Sequence, residues 1–241
     1  MKISFVIPAY NEEAYLGGCL EALCLEIHRE AGSFKTEMIV VNNASTDKTR
    51  EIAKRFAGVS IIEEPKKGVA LARQKGLEAA KGDIIAYIDA DTKVTPGWIP
   101  VMLAEFAADP ALVAISGPYI YYDLPAFWRR LAWPYHLVVG GITEFFTGQW
   151  VFGGNFAARR SALSAIGGFD TSILFYGEDQ NVVQRLKKVG RFKFCTNLRA
   201  LSSARRFVKE GIIKTVLVYA FNFIWVTVFK YPPNMVPRDV R

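Results

Sequence analysis

Two pairs of acidic residues stand out in the sequence because of their spacing and the patterns that precede them. Asp89 and Asp91 flank Ala90 directly after the apolar run Ile84–Ile88, a pattern typical of a buried strand. Carboxylate oxygens at the end of a strand suit Mg²⁺ or Mn²⁺, which bind one or two carboxylates together with phosphate oxygens. A strand that simply ends in a solvated turn is the alternative, and the aspartates alone leave both interpretations open.

The second pair, Glu178 and Asp179, lies far downstream, after Gly177 and at the start of an amphipathic pattern. Acidic residues at this position also favour the helix dipole without any catalytic role. A carboxylate placed there can act as a general base that takes a proton from an acceptor hydroxyl. Together the two pairs fit a transfer reaction that uses a phosphorylated donor.

The elements that must position these pairs alternate between short apolar runs and helical periodicity. Strands are predicted at residues 3–7, 37–41, 60–63, Ile84–Ile88 and Leu112–Ser116. Helices are predicted at residues 12–29, 47–56, 68–80, 159–166 and from Glu178 to a C-cap at Gly190. This alternation predicts an α/β fold with right-handed βαβ units and a mostly parallel central sheet flanked by helices. Because ligands of such sheets bind beyond the carboxyl ends of the strands, the residues that follow the strands are candidate site residues.

Polar and turn-forming residues follow the first two predicted strands as well. Residues 8–13 follow the first strand, and residues 42–47 follow the second. Thr46 and Asp47 are equally typical of turn and N-cap chemistry. We therefore interpret these two as structural, and Asn42 as a candidate site residue.

In order along the chain, five segments resemble family 2 glycosyltransferases, which have the GT-A fold. VIPAYNEE (6–13) resembles the family's first strand and turn, and VNNASTDKT (41–49) its second-strand motif. GVALARQKGLEAAKGDIIAYIDAD (68–91) resembles its helix and DxD segment. FGGNFAARRSALSAIGGFD (152–170) and GEDQNVVQRLKKVG (177–190) resemble its acceptor-side block. Each motif alone is weak, but five in order over residues 2–206 are specific.

For the donor, the resemblance implies a nucleotide pocket lined by Pro8, Ala9, Tyr10 and Glu12. Asn42 would face the base, where many relatives have Asp. An amide oxygen can still accept a base N–H without carrying charge, so uracil and guanine both remain open. The resemblance also implies that the diphosphate is contacted by Arg73, Arg205 and Arg206. Asp89, beside Ala90, would contact the ribose or the metal. Asp91 would be the main ligand of Mn²⁺ or Mg²⁺.

On the acceptor side, the resemblance implies that Asp179 is the base and that Glu178 supports it. The sugar and acceptor would lie against Trp150, Gly153, Gly154 and Asn155. The implied reaction is a metal-dependent, direct displacement at the anomeric carbon of a UDP- or GDP-hexose, with inversion. A nucleotidyltransferase is disfavoured because residues 8–13 are acidic and lack a glycine-rich phosphate loop. A non-catalytic nucleotide-sugar-binding module would leave both acidic pairs without a role.

The composition fits an anionic partner. Lys and Arg number 30 against 23 Asp and Glu, which gives a net charge of +7, and 51% of the residues are hydrophobic. These values exclude a disordered chain. Three cysteines without a CxxC pattern argue against a disulfide scaffold or a structural zinc site and favour a reducing compartment. His28 and His136 each occur singly, without other candidate ligands beside them in the sequence. No nucleic-acid motif is present, and no targeting segment is visible. We therefore predict a cytoplasmic location.

The segment Ile212–Phe229 is strongly apolar. Its uncharged part, residues 215–229, would extend about 22 Å as a helix, less than the ~30 Å of a hydrocarbon core. We expect one glycosyltransferase domain at residues 1–207, with a donor half (1–117) and an acceptor half (118–207), followed by an apolar helix and tail at 208–241. Basic residues flank this helix and the aromatic stretch 127–152, which favours peripheral membrane contact and a lipid-linked or envelope-glycan acceptor. Packing on the core or on a second subunit is the alternative.

Overall fold

The computed structural model of the chain describes residues 1–130 apart from Ala31 and Ser33, then Pro134, residues 150–173 and residues 177–229. The predictions that concern His136, most of the aromatic stretch and the tail from residue 230 onward lie outside these residues.

A seven-stranded sheet forms the centre of the molecule, in the order β3-β2-β1-β4-β8-β6-β9. Its strands are β1 (Lys2–Ala9), β2 (Lys35–Asn43), β3 (Val59–Glu64), β4 (Ile84–Ile88), β6 (Leu112–Ser116), β8 (Asn155–Arg159) and β9 (Arg191–Phe194). Strands β3, β2, β1 and β4 are parallel. Strand β8 is antiparallel to its neighbours β4 and β6, and β9 is parallel to β6. The mostly parallel sheet predicted from the sequence is therefore confirmed.

Helices cover both faces of this sheet, which explains the uninterrupted apolar runs of its central strands. The helices are α1 (Leu16–Arg29), α2 (Thr49–Ala53), α3 (Val69–Ala79), α4 (Trp98–Ala108), α5 (Arg160–Ala165), α6 (Glu178–Leu186), α7 (Arg205–Glu210) and α8 (Ile212–Phe229). On one face, Phe5 of β1 packs in a core with residues of α1 and α4. On the other face, Val6 and Tyr87 pack with residues of α3, α5 and α6.

A second sheet of three short strands lies beside the end of β4. It consists of β5 (Thr92–Val94), β10 (Ala200–Ser202) and β7 (Tyr119–Tyr121), in the order β5-β10-β7. Because β5 follows Asp91 and β10 precedes Arg205, this sheet brings the later part of the chain to the edge where β4 ends.

Helix α8 leaves much of its apolar surface exposed. Thr215 and Asn222 are buried, whereas Ile213 and Leu217 are 73% and 64% exposed. Near its start, Ile212 packs with Phe207 against the small core of Tyr119, Tyr121, Leu124, Ala200 and Ala204. Among the residues described, no helix combines the length and the apolar character that crossing a membrane requires.

Some elements differ from the sequence-based expectations. Helix α1 begins at Leu16 rather than at residue 12, and α2 covers Thr49–Ala53 alone. The residues before these two helices form loops instead, and hydrogen bonds connect the two loops. Asp47 accepts hydrogen bonds from the backbone N–H groups of Glu13 and Thr49, both at 3.0 Å. Glu13 in turn accepts one from the N–H of Lys48 at 3.0 Å. The loops after β1 and β2 therefore hold each other. Asp47 has a structural role here, but the N-cap of α2 is Lys48 rather than Asp47.

Candidate functional site

The carboxyl ends of β1, β2 and β4 meet at one edge of the central sheet. Ala9 lies opposite Asn42 in the register of β1 and β2, and Asp89 follows β4 directly. Pro8 and Tyr10 are partly exposed here, and the ammonium of Lys67 lies 3.9 Å from the centroid of the Tyr10 ring. The structure thus brings Pro8, Ala9, Tyr10, Asn42 and Asp89 to a single edge.

An ion cluster around the buried Glu12 joins this edge to the C-terminal part of the chain. The guanidinium of Arg205 donates to both carboxylate oxygens of Glu12, at 2.7 and 2.5 Å. One of its nitrogens also lies 3.1 Å from Oδ2 of Asp91, and the guanidinium sits 4.7 Å from the ring centroid of Tyr15. Arg206, by contrast, pairs with Glu210 along α7 at 3.1 Å. Of the two predicted arginines, the structure therefore places Arg205 against Asp91.

A second buried arginine joins the two acidic pairs. Arg73 of α3 is 2% exposed. It donates to Asp89 at 3.0 Å and to Glu178 at 2.7 Å. These carboxylates raise its pKa against the opposing effect of burial. Carboxylates hold both of its terminal nitrogens, and the expected contact of Arg73 with a diphosphate stays a prediction.

Gly153 and Gly154 allow the backbone to approach this cluster closely. A Cβ on Gly153 would lie 2.4 Å from a guanidinium nitrogen of Arg73, and a Cβ on Gly154 would lie 2.0 Å from the carboxyl carbon of Asp89. Any side chain at either position would displace Arg73 or Asp89. These glycines therefore position the charged residues, whatever contact they also make with a sugar.

Asp179 differs from its neighbour Glu178 in its hydrogen bonds. Its Oδ1 accepts from the N–H of Gln180 at 2.8 Å, and its Oδ2 accepts from the N–H of Gly153 at 3.2 Å. Loss of hydration, and secondly the negative charge of Glu178, raise the pKa of Asp179 to about 7, although Arg73 acts in the opposite direction. A carboxyl with a pKa in this range can take up and release a proton at neutral pH.

Asn42 presents an acceptor whose hydrogen-bonding capacity is unused. Its Nδ2 donates to Oε2 of Glu63 at 2.7 Å. Its Oδ1 is buried and has no hydrogen-bond partner among the described residues. An unsatisfied buried acceptor costs about 1–3 kcal/mol, so a ligand N–H at this atom would recover that energy.

Asn155 and Trp150 were expected on the sugar and acceptor side. The side chain of Asn155 is fully buried: its Oδ1 accepts from Nε1 of Trp98 at 2.8 Å, and its Nδ2 donates to the carbonyl of Leu198 at 2.8 Å. The amide of Asn155 therefore links β8 to α4 and to the chain before β10. Trp150 is partly exposed and packs edge-on against Phe152, with ring centroids 5.8 Å apart.

A divalent metal fits this edge only in part. Asp89 and Asp91 offer hard oxygen atoms, but each pairs with an arginine. Within the described ranges, no group of three or more His, Cys, Asp or Glu residues could hold a metal ion. A metal at Asp91 would therefore need Arg205 to release Oδ2 and would need phosphate oxygens as further ligands.

The pairings of Arg73 with Glu178 and of Arg205 with Glu12 have no signal in the sequence, since these partners lie 105 and 193 residues away. The pairing of Asn42 with Glu63 could have been found from the register of two adjacent parallel strands.

Comparison with known proteins gives a consistent result. The model of the family "Glycosyl transferase family 2" matches residues 4–167. The glycosyltransferase AglE of Haloferax volcanii is 33% identical over 102 residues, which make up 40% of this chain and 33% of AglE.

Two solved structures share the fold. The mannosyltransferase PcManGT from Pyrobaculum calidifontis, in complex with GDP-Man and Mn²⁺, has a TM-score of 0.65 and 22% identity and covers 83% of this chain. S. aureus TarS in complex with UDP-GlcNAc has a TM-score of 0.66 and 16% identity and covers 84% of this chain. The chain spans 56% of the PcManGT chain and 58% of the TarS 1-349 chain in these structures. Its architecture is that of the GT-A transferases, and the chain belongs to glycosyl transferase family 2.

Proposed function

We propose that this chain is the catalytic domain of an inverting glycosyltransferase that moves a hexosyl group from a nucleotide-sugar to an acceptor hydroxyl or phosphate. The observation that carries this proposal is the state of Asp179. Its pKa of about 7 and its hydrogen bond from Gly153 suit a general base, and it lies beside Glu178, which Arg73 ties to the strand edge at Asp89.

The proposed reaction is a single displacement. The acceptor oxygen attacks the anomeric carbon while Asp179 takes the acceptor's proton, and the bond from that carbon to the phosphate oxygen breaks. The nucleoside diphosphate leaves with the bonding electrons. No covalent intermediate is required, which agrees with the state of two cysteines: Cys19 and Cys195 are buried, and burial raises the pKa of both thiols.

The donor would bind across the ends of β1, β2 and β4. Tyr10 and Asn42 would meet the nucleoside, with Pro8 and Ala9 forming the wall behind it. Arg205 would face the diphosphate, since its guanidinium already lies between the carboxylates of Glu12 and Asp91. Arg73 would hold Asp89 and Glu178 in place and approach the diphosphate.

A divalent cation, Mn²⁺ or Mg²⁺, completes the proposed donor site, with Asp91 as its main protein ligand and Asp89 nearby. The hard carboxylate oxygens support this assignment, as does the Mn²⁺ bound with GDP-Man in PcManGT. When bound, such a cation offsets the negative charge that develops on the departing diphosphate. Arg205 would give up its contact with Asp91 and keep Glu12.

We further propose that residues 1–207 form the transferase domain and that α8 contacts the cytoplasmic face of a membrane, where the acceptor is a lipid-linked phosphate or glycan. Support comes from exposed apolar side chains on α8, together with Phe127 and Trp128. Exposed basic residues lie next to or within these segments: Arg129, Arg130, Lys209 and Lys214. Apolar surface beside basic residues is the usual combination for reversible binding to anionic lipid.

Co-sedimentation with vesicles tests the membrane contact. The chain should bind vesicles that contain anionic lipid and should dissociate as salt rises, because each basic residue near the surface contributes about 1 kcal/mol. Ile213→Ser combined with Leu217→Ser should weaken binding, whereas Leu25→Ser, which removes an exposed apolar side chain from α1, should leave it unchanged. A chain that never binds anionic vesicles would exclude this contact.

The transferase proposal itself is tested by release of nucleoside diphosphate from a panel of UDP-, GDP- and dTDP-sugars, with and without Mn²⁺. At least one donor should stabilise the protein by about 2.7 kcal/mol when present at 100 times its dissociation constant. It should also release its diphosphate when an acceptor is supplied. A panel that neither binds nor turns over would contradict the proposal.

A further inference from the structure

Asn42 and Glu63 form a cross-strand pair at the end of the sheet. The register of β2 and β3 places them directly opposite each other. Oε2 of Glu63 accepts the hydrogen bond from Nδ2 of Asn42 at 2.7 Å. Oε1 of Glu63 accepts one from Nε of Arg50 at 2.8 Å. Both oxygens of this carboxylate are therefore engaged by donors.

This pairing determines which way the Asn42 amide faces. An ionised carboxylate can accept hydrogen bonds but cannot donate them, so the NH₂ group of Asn42 must face Glu63. The carbonyl oxygen of the amide must then point away from β3. That oxygen is the buried Oδ1 that has no hydrogen-bond partner among the described residues, on a side chain whose residue is 5% exposed. Ala9 of β1 is the neighbour of Asn42 on its other side.

We propose that Glu63 is a positioning residue that makes Asn42 present an acceptor to the base of the donor nucleotide. The proposal rests on the proposed function and names the class of nucleotide. Uracil and thymine carry an N–H at ring position 3, and guanine carries one at ring position 1. Cytosine and adenine have an unprotonated nitrogen at the corresponding positions. The lone pair of that nitrogen would face a lone pair of the Asn42 oxygen, and the two would repel each other. The site therefore takes uridine, thymidine or guanosine diphosphates and rejects those of cytidine and adenosine.

The isosteric variant Glu63→Gln reverses this arrangement. Arg50 needs an acceptor, so it keeps the oxygen of the new amide and the NH₂ group of Gln turns to Asn42. Asn42 must then rotate to accept that hydrogen bond, and its own NH₂ group faces the base. We expect the affinity for the preferred nucleotide to fall by at least about tenfold, as for loss of one hydrogen bond of roughly 1.4 kcal/mol. Affinity for CDP or ADP should rise.

A double variant separates positioning from simple structural support. In Asn42→Asp combined with Glu63→Gln, the NH₂ group of Gln donates to the new carboxylate, which presents an acceptor to the base in either orientation. Preference for bases with a ring N–H should therefore return. Glu64→Gln is the matched control, because it makes the same charge change at the adjacent position of β3. It should leave the preference unchanged.

Calorimetry with UDP, GDP, dTDP, CDP and ADP measures these affinities, and thermal unfolding checks that each variant folds. Wild-type protein that binds CDP or ADP as tightly as its best other nucleotide would overturn the inference. So would an unchanged preference in Glu63→Gln, or an equal loss for all five nucleotides that the double variant does not recover. In these cases the wild type still binds nucleotides, so the proposed function stands. Wild-type protein that binds none of the five contradicts the proposed function itself.

Discussion

The two acidic pairs contain the same kind of side chain, yet the structure gives their members different neighbours. Asp89 and Glu178 share one guanidinium, that of Arg73, at 3.0 and 2.7 Å. They belong to segments that are far apart in sequence, and Arg73 fixes them relative to each other. We refer to Asp89 and Glu178 as the anchored carboxylates.

The remaining two carboxylates are Asp91 and Asp179, and they differ from each other. Asp91 lies 3.1 Å from the guanidinium of Arg205. Asp179 accepts two backbone hydrogen bonds, and burial with the charge of Glu178 raises its pKa to about 7. The first environment suits a group that binds cations, and the second suits a group that exchanges protons. Neighbours, rather than residue type, distinguish the proposed metal ligand Asp91 from the proposed base Asp179.

The largest expected effect comes from replacing the proton-exchanging carboxylate. Asp179→Asn should lower turnover by about 10²–10⁴-fold, the usual contribution of a general base. Binding of the donor nucleotide should persist, because Tyr10, Asn42 and Arg205, rather than Asp179, are proposed to hold it. Release of nucleoside diphosphate and calorimetric binding measure the two quantities separately.

The same substitution at another aspartate, Asp109, controls for the loss of a carboxylate that has no proposed catalytic role. Asp109 pairs with the exposed Arg191 at 3.0 Å, and Asp109→Asn should leave turnover unchanged. Near-normal turnover in Asp179→Asn would remove the base assignment and make Glu178 the next group to test.

A smaller effect, on stability, is expected when the anchored carboxylates lose their shared partner. Arg73→Met leaves Glu178, whose side chain is 11% exposed, with an uncompensated charge, whereas Asp89 at 38% is partly hydrated. Breaking a buried ion pair costs about 3–5 kcal/mol, and the exposure of Asp89 places the expected loss near the lower end. Urea unfolding measures it.

Two further variants sharpen this measurement. Arg50→Met breaks the exposed pair with Glu63 and should cost less than about 1 kcal/mol. Arg73→Met combined with Glu178→Gln should be more stable than Arg73→Met alone, since it also removes the uncompensated charge. If all these variants are equally stable, Arg73 does not anchor the two pairs.

The third expected effect concerns Asp91, the proposed metal ligand. Asp91→Asn should reduce the Mn²⁺-dependent part of donor stabilisation, which is at most about 2.7 kcal/mol for a donor at 100 times its dissociation constant. Stabilisation by nucleotide without metal should change little. Thermal shift with and without Mn²⁺ separates the two contributions. An unchanged metal-dependent shift would take Asp91 out of the metal site.

The sequence predicts the central strands well because they are buried on both faces. Residues of β4 are all buried, and its predicted bounds, Ile84–Ile88, agree with the structure. The apolar helix Ile212–Phe229 is likewise confirmed. By contrast, β5, β7 and β10 have three residues each, which is too short for a periodic pattern to be recognised.

The environment of each site residue is what sequence patterns could not predict. Polar residues at strand ends could be identified as candidates because parallel strands place them at one edge. Which of them pair depends on contacts between distant segments, such as Glu12 with Arg205, 193 positions apart. The same holds for Asn155, whose amide partners Trp98 and Leu198 come from 57 and 43 positions away. A local pattern contains no information about such partners.

The smallest expected effect is a shift in the pH dependence of turnover. Asp179 must be deprotonated to act as a base, so the rate should fall as pH decreases below about 7. The negative charge of Glu178 raises the pKa of Asp179, and the positive charge of Arg73 lowers it. Glu178→Gln removes the first influence and frees Arg73 from one of its partners, so both changes lower the pKa of Asp179. The acidic limb of the rate profile should therefore move to lower pH, by roughly half a unit to one unit. The rate at pH 6 relative to the rate at pH 8 should rise accordingly.

Glu210→Gln, which removes a partner of Arg206 on α7, should not move the acidic limb of the rate profile. A limb that stays in place in Glu178→Gln would mean that Glu178 has no influence on the titrating group, and a limb that moves to higher pH would reverse the roles assigned to the two residues.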